Sequence, residues 1–173
     1  MRAASAILPL LAAACASVQP PQAPAPDEAA ILAVIDAFFL ALAAADADAI
    51  DSLAGERTVT VAIRPGEAQP PRYGSLAELA KRFRDGVATP VVEPYWRPTV
   101  LQRKDLAVVW APYEVSAGGK LIHCGIDSFQ LSRRVGGWRI DAVSYTMEPG
   151  ACDELRPGDR SEFRPHFTKE NTP

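Results

Sequence analysis

Three side chains that can do chemistry, His123, Cys124 and Asp127, fall within five positions in the stretch KLIHCGIDSFQLSRR. The stretch reads as a β-strand, and side chains alternate across a strand. His123, Gly125, Asp127, Phe129 and Leu131 therefore share one face, and Cys124, Ile126, Ser128 and Gln130 share the other. Phe129 and Leu131 are natural core residues, which turns His123 and Asp127 inward. A carboxylate facing an apolar cavity has its charged form disfavoured, and its pKa rises toward the range useful for general acid–base catalysis. The plainer reading is that Asp127 hydrogen-bonds a neighbouring Tyr, Trp or backbone group and only shapes the cavity. His123 stands about 13 Å along the strand from Asp127. That is too far for contact, although one ligand could touch both; the alternative is a satisfied structural histidine near the cavity mouth. His123 and Cys124 point apart, so adjacency does not make them a Cys–His nucleophilic dyad.

Several chemistries are disfavoured by what the chain lacks. It has two histidines and no CxxC or HExxH, so no His-rich metal constellation is expected. It has no G-x-S-x-G elbow and no phosphate-cradling glycine loop, and no cofactor is expected. The net charge of −3 comes without a basic run, which argues against nucleic acid as a partner. The chain has 173 residues, 48% hydrophobic and 23% charged, enough for one domain with its own core.

The first 26 residues, MRAASAILPLLAAACASVQPPQAPAP, have the layout of a secretory signal followed by a tether. One Arg precedes a short apolar run that ends in small residues, too short to span a bilayer. LLAAAC resembles a bacterial lipobox, so residues 1–14 are expected to be removed and Cys15 lipidated, with ordinary cleavage after Ala14 or Ala16 as the alternative. Residues 15–26 then form a Pro-rich tether. The expected location is the periplasmic side, anchored to the outer membrane as a lipoprotein, with no other membrane contact. In that oxidising compartment Cys124 and Cys152 are candidates for a disulfide, against two independent thiols.

These residues need elements to place them. Asp27 stands where a helix cap belongs, and Ile31, Ile35, Phe38 and Leu42 then repeat at helical spacing. That helix carries one charge, Asp36, between Ile31 and Ala45, so it should be covered on more than one side, by a sheet and a partner subunit, as in a homodimer. DADAIDSLAG reads as a second helix closed by Gly55, TVTVAI as a strand, and Ser75 with Glu78 as the capping box of a third helix ending near Asp85. Four strand-like runs follow, Val91–Arg103, Leu106–Ser116, Lys120–Arg133 and Trp138–Met147, joined by hairpin turns. The fold class is α+β, with N-terminal helices on a curved antiparallel sheet. Pro112 predicts a bulge beside Tyr113 and leaves open which of Trp110 and Tyr113 faces inward. Residues 149–173 read as a polar, loosely ordered tail.

The order of two helices, a strand, RYGSLAELAKRF and a long antiparallel sheet resembles the nuclear transport factor 2-like superfamily, in particular its SnoaL-like group. The helix starting after Gly74 and the stretch DSFQLSRRVGGW, Asp127 to Trp138, carry the resemblance, which spans about residues 27–148. It implies a sheet wrapped around a conical pocket that admits a small apolar ligand. Members include cyclases, dehydratases, ketosteroid isomerases and proteins without a known reaction; those with known reactions use a pocket Asp for acid–base work. The pocket-lining expectations here are Phe38, Trp110, Tyr113, Phe129 and Tyr145. Two functions follow: an exported domain that binds a small molecule or a protein partner, or a cofactor-independent lyase or isomerase acting on a small carbonyl or cyclic compound through Asp127.

Overall fold

Helix α1 spans Glu28–Ala44 in the computed structural model, which describes residues 25–167. Its apolar side chains Ile31, Leu32, Ile35, Phe38, Phe39 and Leu42 are all buried. Asp27 does not cap it. The Asp27 carboxylate instead takes hydrogen bonds from Gln102 Nε2 (3.0 Å) and Arg133 Nη1 (2.8 Å), tying the helix start to the sheet. Helix α2 (Ala47–Leu53) is capped by Asp46, whose Oδ1 accepts from the Ala49 N–H at 3.0 Å. Gly55 does not close α2. Strand β1 begins directly at Ala54 and runs to Ile63, so Gly55 already lies in the sheet, where a Cβ would press on Asp141.

Strand β2 (Arg72–Gly74) leads into α3 (Leu76–Arg84), and the capping box is formed: Ser75 Oγ accepts from the Glu78 N–H, and Glu78 Oε2 from the Ser75 N–H. The sheet is completed by β3 (Thr99–Arg103), β4 (Leu106–Ala117), β5 (Lys120–Arg134) and β6 (Gly137–Thr146). Its order is β2-β1-β6-β5-β4-β3, curved and unclosed. Every neighbouring pair is antiparallel except β1 and β6, which run parallel. The β4–β5 hairpin turns on Gly118 and Gly119, both with positive φ, as a two-residue turn matched to strand twist requires.

The run Val91–Arg103 is not one strand. Only Thr99–Arg103 pairs continuously with β4. Pro94 and Pro98 interrupt the ladder, since proline has no N–H to donate. The segment before β3 is pinned point by point: Val92 exchanges backbone bonds with Ser116 (2.9 Å each), Glu114 N–H donates to the Pro94 carbonyl (3.1 Å), and Trp96 N–H donates to the Pro112 carbonyl (3.1 Å). This also explains why Pro112 causes no bulge. Its ring nitrogen faces this segment rather than β5, and the β4–β5 register is unbroken until Val115 and Ser116.

The residues after β6, read as a loose tail, pack onto this segment. Helix α4 (Cys152–Leu155) is joined to β5 by a Cys124–Cys152 disulfide. Leu155 carbonyl accepts from Trp96 Nε1 at 2.9 Å, Phe163 stacks on Trp96, and Arg164 exchanges two backbone bonds with Tyr95. Arg164 also pairs with Asp36 at 2.7 Å, and Asp36 accepts from the Tyr95 hydroxyl at 2.7 Å. Residues 1–24, including Cys15, and 168–173 lie outside the described residues.

Candidate functional site

A cavity of about 700 Å³ lies between the concave face of the sheet, α1 and α3. Its wall is mostly apolar. Phe38, Phe39 and Leu42 come from α1, Leu76, Leu79 and Phe83 from α3, and Phe129 and Val143 from the sheet. Phe38 and Phe39 both meet the Phe129 ring edge-to-face, with centroids 5.9 and 5.7 Å apart, so the wall is locked by aromatic packing.

The strand parity holds. His123, Asp127 and Phe129 all line the cavity. Asp127 is only 2% exposed, and its Oδ2 is a buried oxygen with no hydrogen-bond partner. It stands opposite Tyr145 on β6 and Ala111 on β4. Burial pushes the Asp127 carboxyl well above the usual carboxylate range, and the nearby Glu93 carboxylate adds to the rise. An unpartnered carboxylate in an apolar wall costs free energy, and taking up a proton or pairing with a ligand reduces that cost.

Glu93 is the site residue that the strand pattern does not reveal. It lines the same cavity from the pinned segment between Pro90 and Pro94. Part of its surface stays exposed, but its carboxyl is desolvated enough to be pushed up to about 8. A signal was present: Glu93 is the only charge between Pro90 and Trp96, in an otherwise apolar and aromatic run. Neither Glu93 nor Asp127 forms an ion pair among the described residues.

Tyr113 resolves the ambiguity in β4. It is buried and lines the cavity, whereas Trp110 is 54% exposed on the opposite face and is not a wall residue. Side chains two apart share a face and those three apart do not, so only one of the pair could face inward. The Tyr113 hydroxyl donates to the Thr146 carbonyl at 2.7 Å, and its oxygen lies 3.4 Å from His123 Nδ1. Tyr113 crosses Gly125, directly opposite on β5. A Cβ at Gly125 would sit on the Thr146 carbonyl oxygen and 2.9 Å from Tyr113 Cε1. The glycine is what lets the phenol lie flat across the strand.

Burial lowers the His123 pKa, so its ring is neutral at neutral pH, buried beside Tyr113 rather than exposed at a rim. Tyr113 and Tyr145 are both pushed up, by burial first and then by Glu93 and Asp127. Behind the mouth, the cavity thus presents the Asp127 and Glu93 carboxyls, the neutral phenols of Tyr113 and Tyr145 and the neutral His123 imidazole in aromatic surroundings. The cations Arg72, Lys81 and Arg82 stand at the mouth and are exposed. No group of metal-ligating side chains occurs among the described residues.

No family profile matches the sequence, and no curated protein does. Solved structures do. A provisionally named dehydratase of the NTF2-like family from Streptomyces avermitilis is 17% identical, with a TM-score of 0.55 over 70% of this chain and 95% of that one. An NTF2-like protein with a cystatin-like fold from Novosphingobium aromaticivorans is 20% identical, with a TM-score of 0.54 over 76% and 89%. A protein of unknown function with a cystatin-like fold from Nostoc punctiforme is 12% identical, with a TM-score of 0.57 over 73% and 95%. At these identities the likeness is one of fold.

Proposed function

We propose that this chain, which has the fold of the nuclear transport factor 2-like proteins, is an exported domain that binds a small, largely apolar molecule with one polar end. The carrying observation is the unpartnered, buried Asp127 oxygen at the wall of an apolar cavity of about 700 Å³, a size suited to a small organic ligand. The aromatic wall would take the body of the ligand, and Asp127 with Glu93 its polar end. Export rests on the leader and lipobox: mature protein beginning at a lipidated Cys15 would partition into detergent, and a free N-terminus at Ser17 or an intact Met1 in its mass spectrum would remove the anchor.

Glu93 favours a second reading, a cofactor-independent lyase or isomerase. General acid–base chemistry needs a base and an acid whose proton affinities lie near the working pH. With one carboxyl ionised, it could take a proton from a carbon beside a carbonyl while the protonated partner gives one to the carbonyl oxygen. The name of the Streptomyces protein is compatible with such chemistry for that protein.

The test is binding of 4-phenylbutan-1-ol, followed by calorimetry and ligand-observed NMR. Val143→Phe, which places a ring inside the cavity, should weaken binding at least tenfold. Trp110→Ala, on the other face, should leave it unchanged. Equal affinity in wild type and Val143→Phe would move the ligand out of this cavity.

A further inference from the structure

Two carboxyls stand in the cavity wall, and among the described residues no basic side chain forms an ion pair with either, although Arg72, Lys81 and Arg82 stand at the mouth. Among the described residues, Arg64 and Arg72 bias Tyr145, and Arg64 biases His123, but no cation offsets Asp127 or Glu93. The remaining polar groups cannot supply the missing charge: His123 is held neutral, and the Tyr113 proton is engaged by the Thr146 carbonyl. Helix α1 contributes only apolar groups here, because Asp36 is turned away toward Tyr95 and Arg164. Helix α3 brings Glu78, Lys81, Arg82 and Asp85 to the mouth: Glu78 is held in the capping box, Lys81 and Asp85 pair with each other, and Arg82 is exposed to solvent. The complement to this arrangement is a positive charge with an apolar body.

We infer that the ligand of this cavity carries a protonated amine, which pairs with the Asp127–Glu93 carboxyls while its apolar portion lies against Phe38, Phe39 and Phe129. The inference rests on the pocket reading above and names the ligand class. In this arrangement the ligand supplies the partner that the protein lacks. An ammonium gives the orphaned Asp127 oxygen a donor, and with three N–H groups it has donors left for Glu93. Because both carboxyls are pushed up in the empty cavity, entry of the ammonium drives one proton from the pair into solvent. A neutral ligand of the same shape has no such coupling, and an anionic one meets like charge once the pair ionises.

The experiment compares 4-phenylbutylamine, 4-phenylbutan-1-ol and 4-phenylbutanoate by calorimetry from pH 6 to 9, in buffers of different ionisation enthalpy. The amine should bind at least tenfold more tightly than the alcohol at pH 8. Its affinity should rise about tenfold per pH unit from pH 6 to 7 and flatten above about pH 8. Close to one proton should be released per amine bound below pH 7, and none per alcohol. Asp127→Asn and Glu93→Gln should each shrink the amine's advantage over the alcohol at least fivefold. If alcohol and amine bind equally, or if the amine's advantage survives the double variant, the amine inference is wrong and the pocket reading stands. If none of the three binds, the pocket reading itself fails. The proton count is read on the wild-type protein, so the test does not depend on either variant folding.

Discussion

Asp127 and Glu93 make the cavity costly when it is empty. A carboxyl whose pKa is raised on folding binds more protons in the native state than in the unfolded chain, so stability falls as pH rises through the window between the two values. For Glu93 that window runs from about 4.5 to about 8, and for Asp127 it begins near the ordinary carboxylate value and extends well above it. His123 acts in the opposite sense: its lowered pKa gives up stability as pH falls below about 6.5. The unfolding free energy of wild type should therefore decline by a few kcal/mol, as an order of magnitude, between pH 6.5 and 8. Urea titrations at a series of pH values should show a flatter profile for Glu93→Gln, and a flatter one again for the double variant with Asp127→Asn. A wild-type stability that climbs steadily from pH 6.5 to 8 would mean that the carboxyls are not desolvated.

Three strands meet where Tyr113 on β4 lies across Gly125 on β5 and reaches Thr146 at the end of β6. Gly125→Ala leaves no room for its methyl group against the Thr146 carbonyl, so either β6 or the Tyr113 ring must move. Overpacking at such a site costs about 1–3 kcal/mol. Because Tyr113 is displaced as well, affinity for 4-phenylbutan-1-ol should drop with stability. Tyr113→Phe keeps the packing and removes only the hydroxyl, so it should cost about 1 kcal/mol and alter ligand affinity far less. Equal loss of binding in the two variants would point to the phenol group rather than the packing.

Across the whole molecule, the C-terminal segment holds the Glu93 segment in place. Arg164 bonds to Tyr95, Leu155 to Trp96 Nε1, and the Cys124–Cys152 disulfide fastens the start of α4 to the central strand β5. The bridged cysteines are 28 positions apart, and closing a loop of that length restricts the unfolded chain by roughly 3–4 kcal/mol. Reduction, or the paired change Cys124→Ser with Cys152→Ser, should lower the melting temperature by on the order of 10 °C. The loss should be accompanied by weaker amine binding, since Glu93 depends on contacts made by the same segment. A melting temperature unmoved by reductant in the wild type would show that the bridge contributes nothing to the folded state.

Local pattern along the chain was enough for the features that arise locally. Helical spacing from Ile31 to Leu42 gave α1, the Ser75–Glu78 box gave the start of α3, and period-two alternation placed His123, Asp127 and Phe129 on one inward face. Helix and strand periodicity and caps act over a few residues, so a short stretch carries the whole signal. The nuclear transport factor 2-like fold was legible for the same reason, as an order of such elements. Other features exist only where distant segments meet. Trp110 and Tyr113 are told apart only by the β4–β5 register, unbroken from Leu106 to Val115, in which Pro112 faces the 93–97 segment. Gly55 looked like a helix stop and is a strand residue because β1 pairs with β6 at Ala54. Glu93 entered the site through contacts with β4 and residue 164, which no periodicity in its own proline-broken stretch encodes. A carboxyl pair 34 positions apart is a property of how the chain closes on itself, and only the closed chain reveals it.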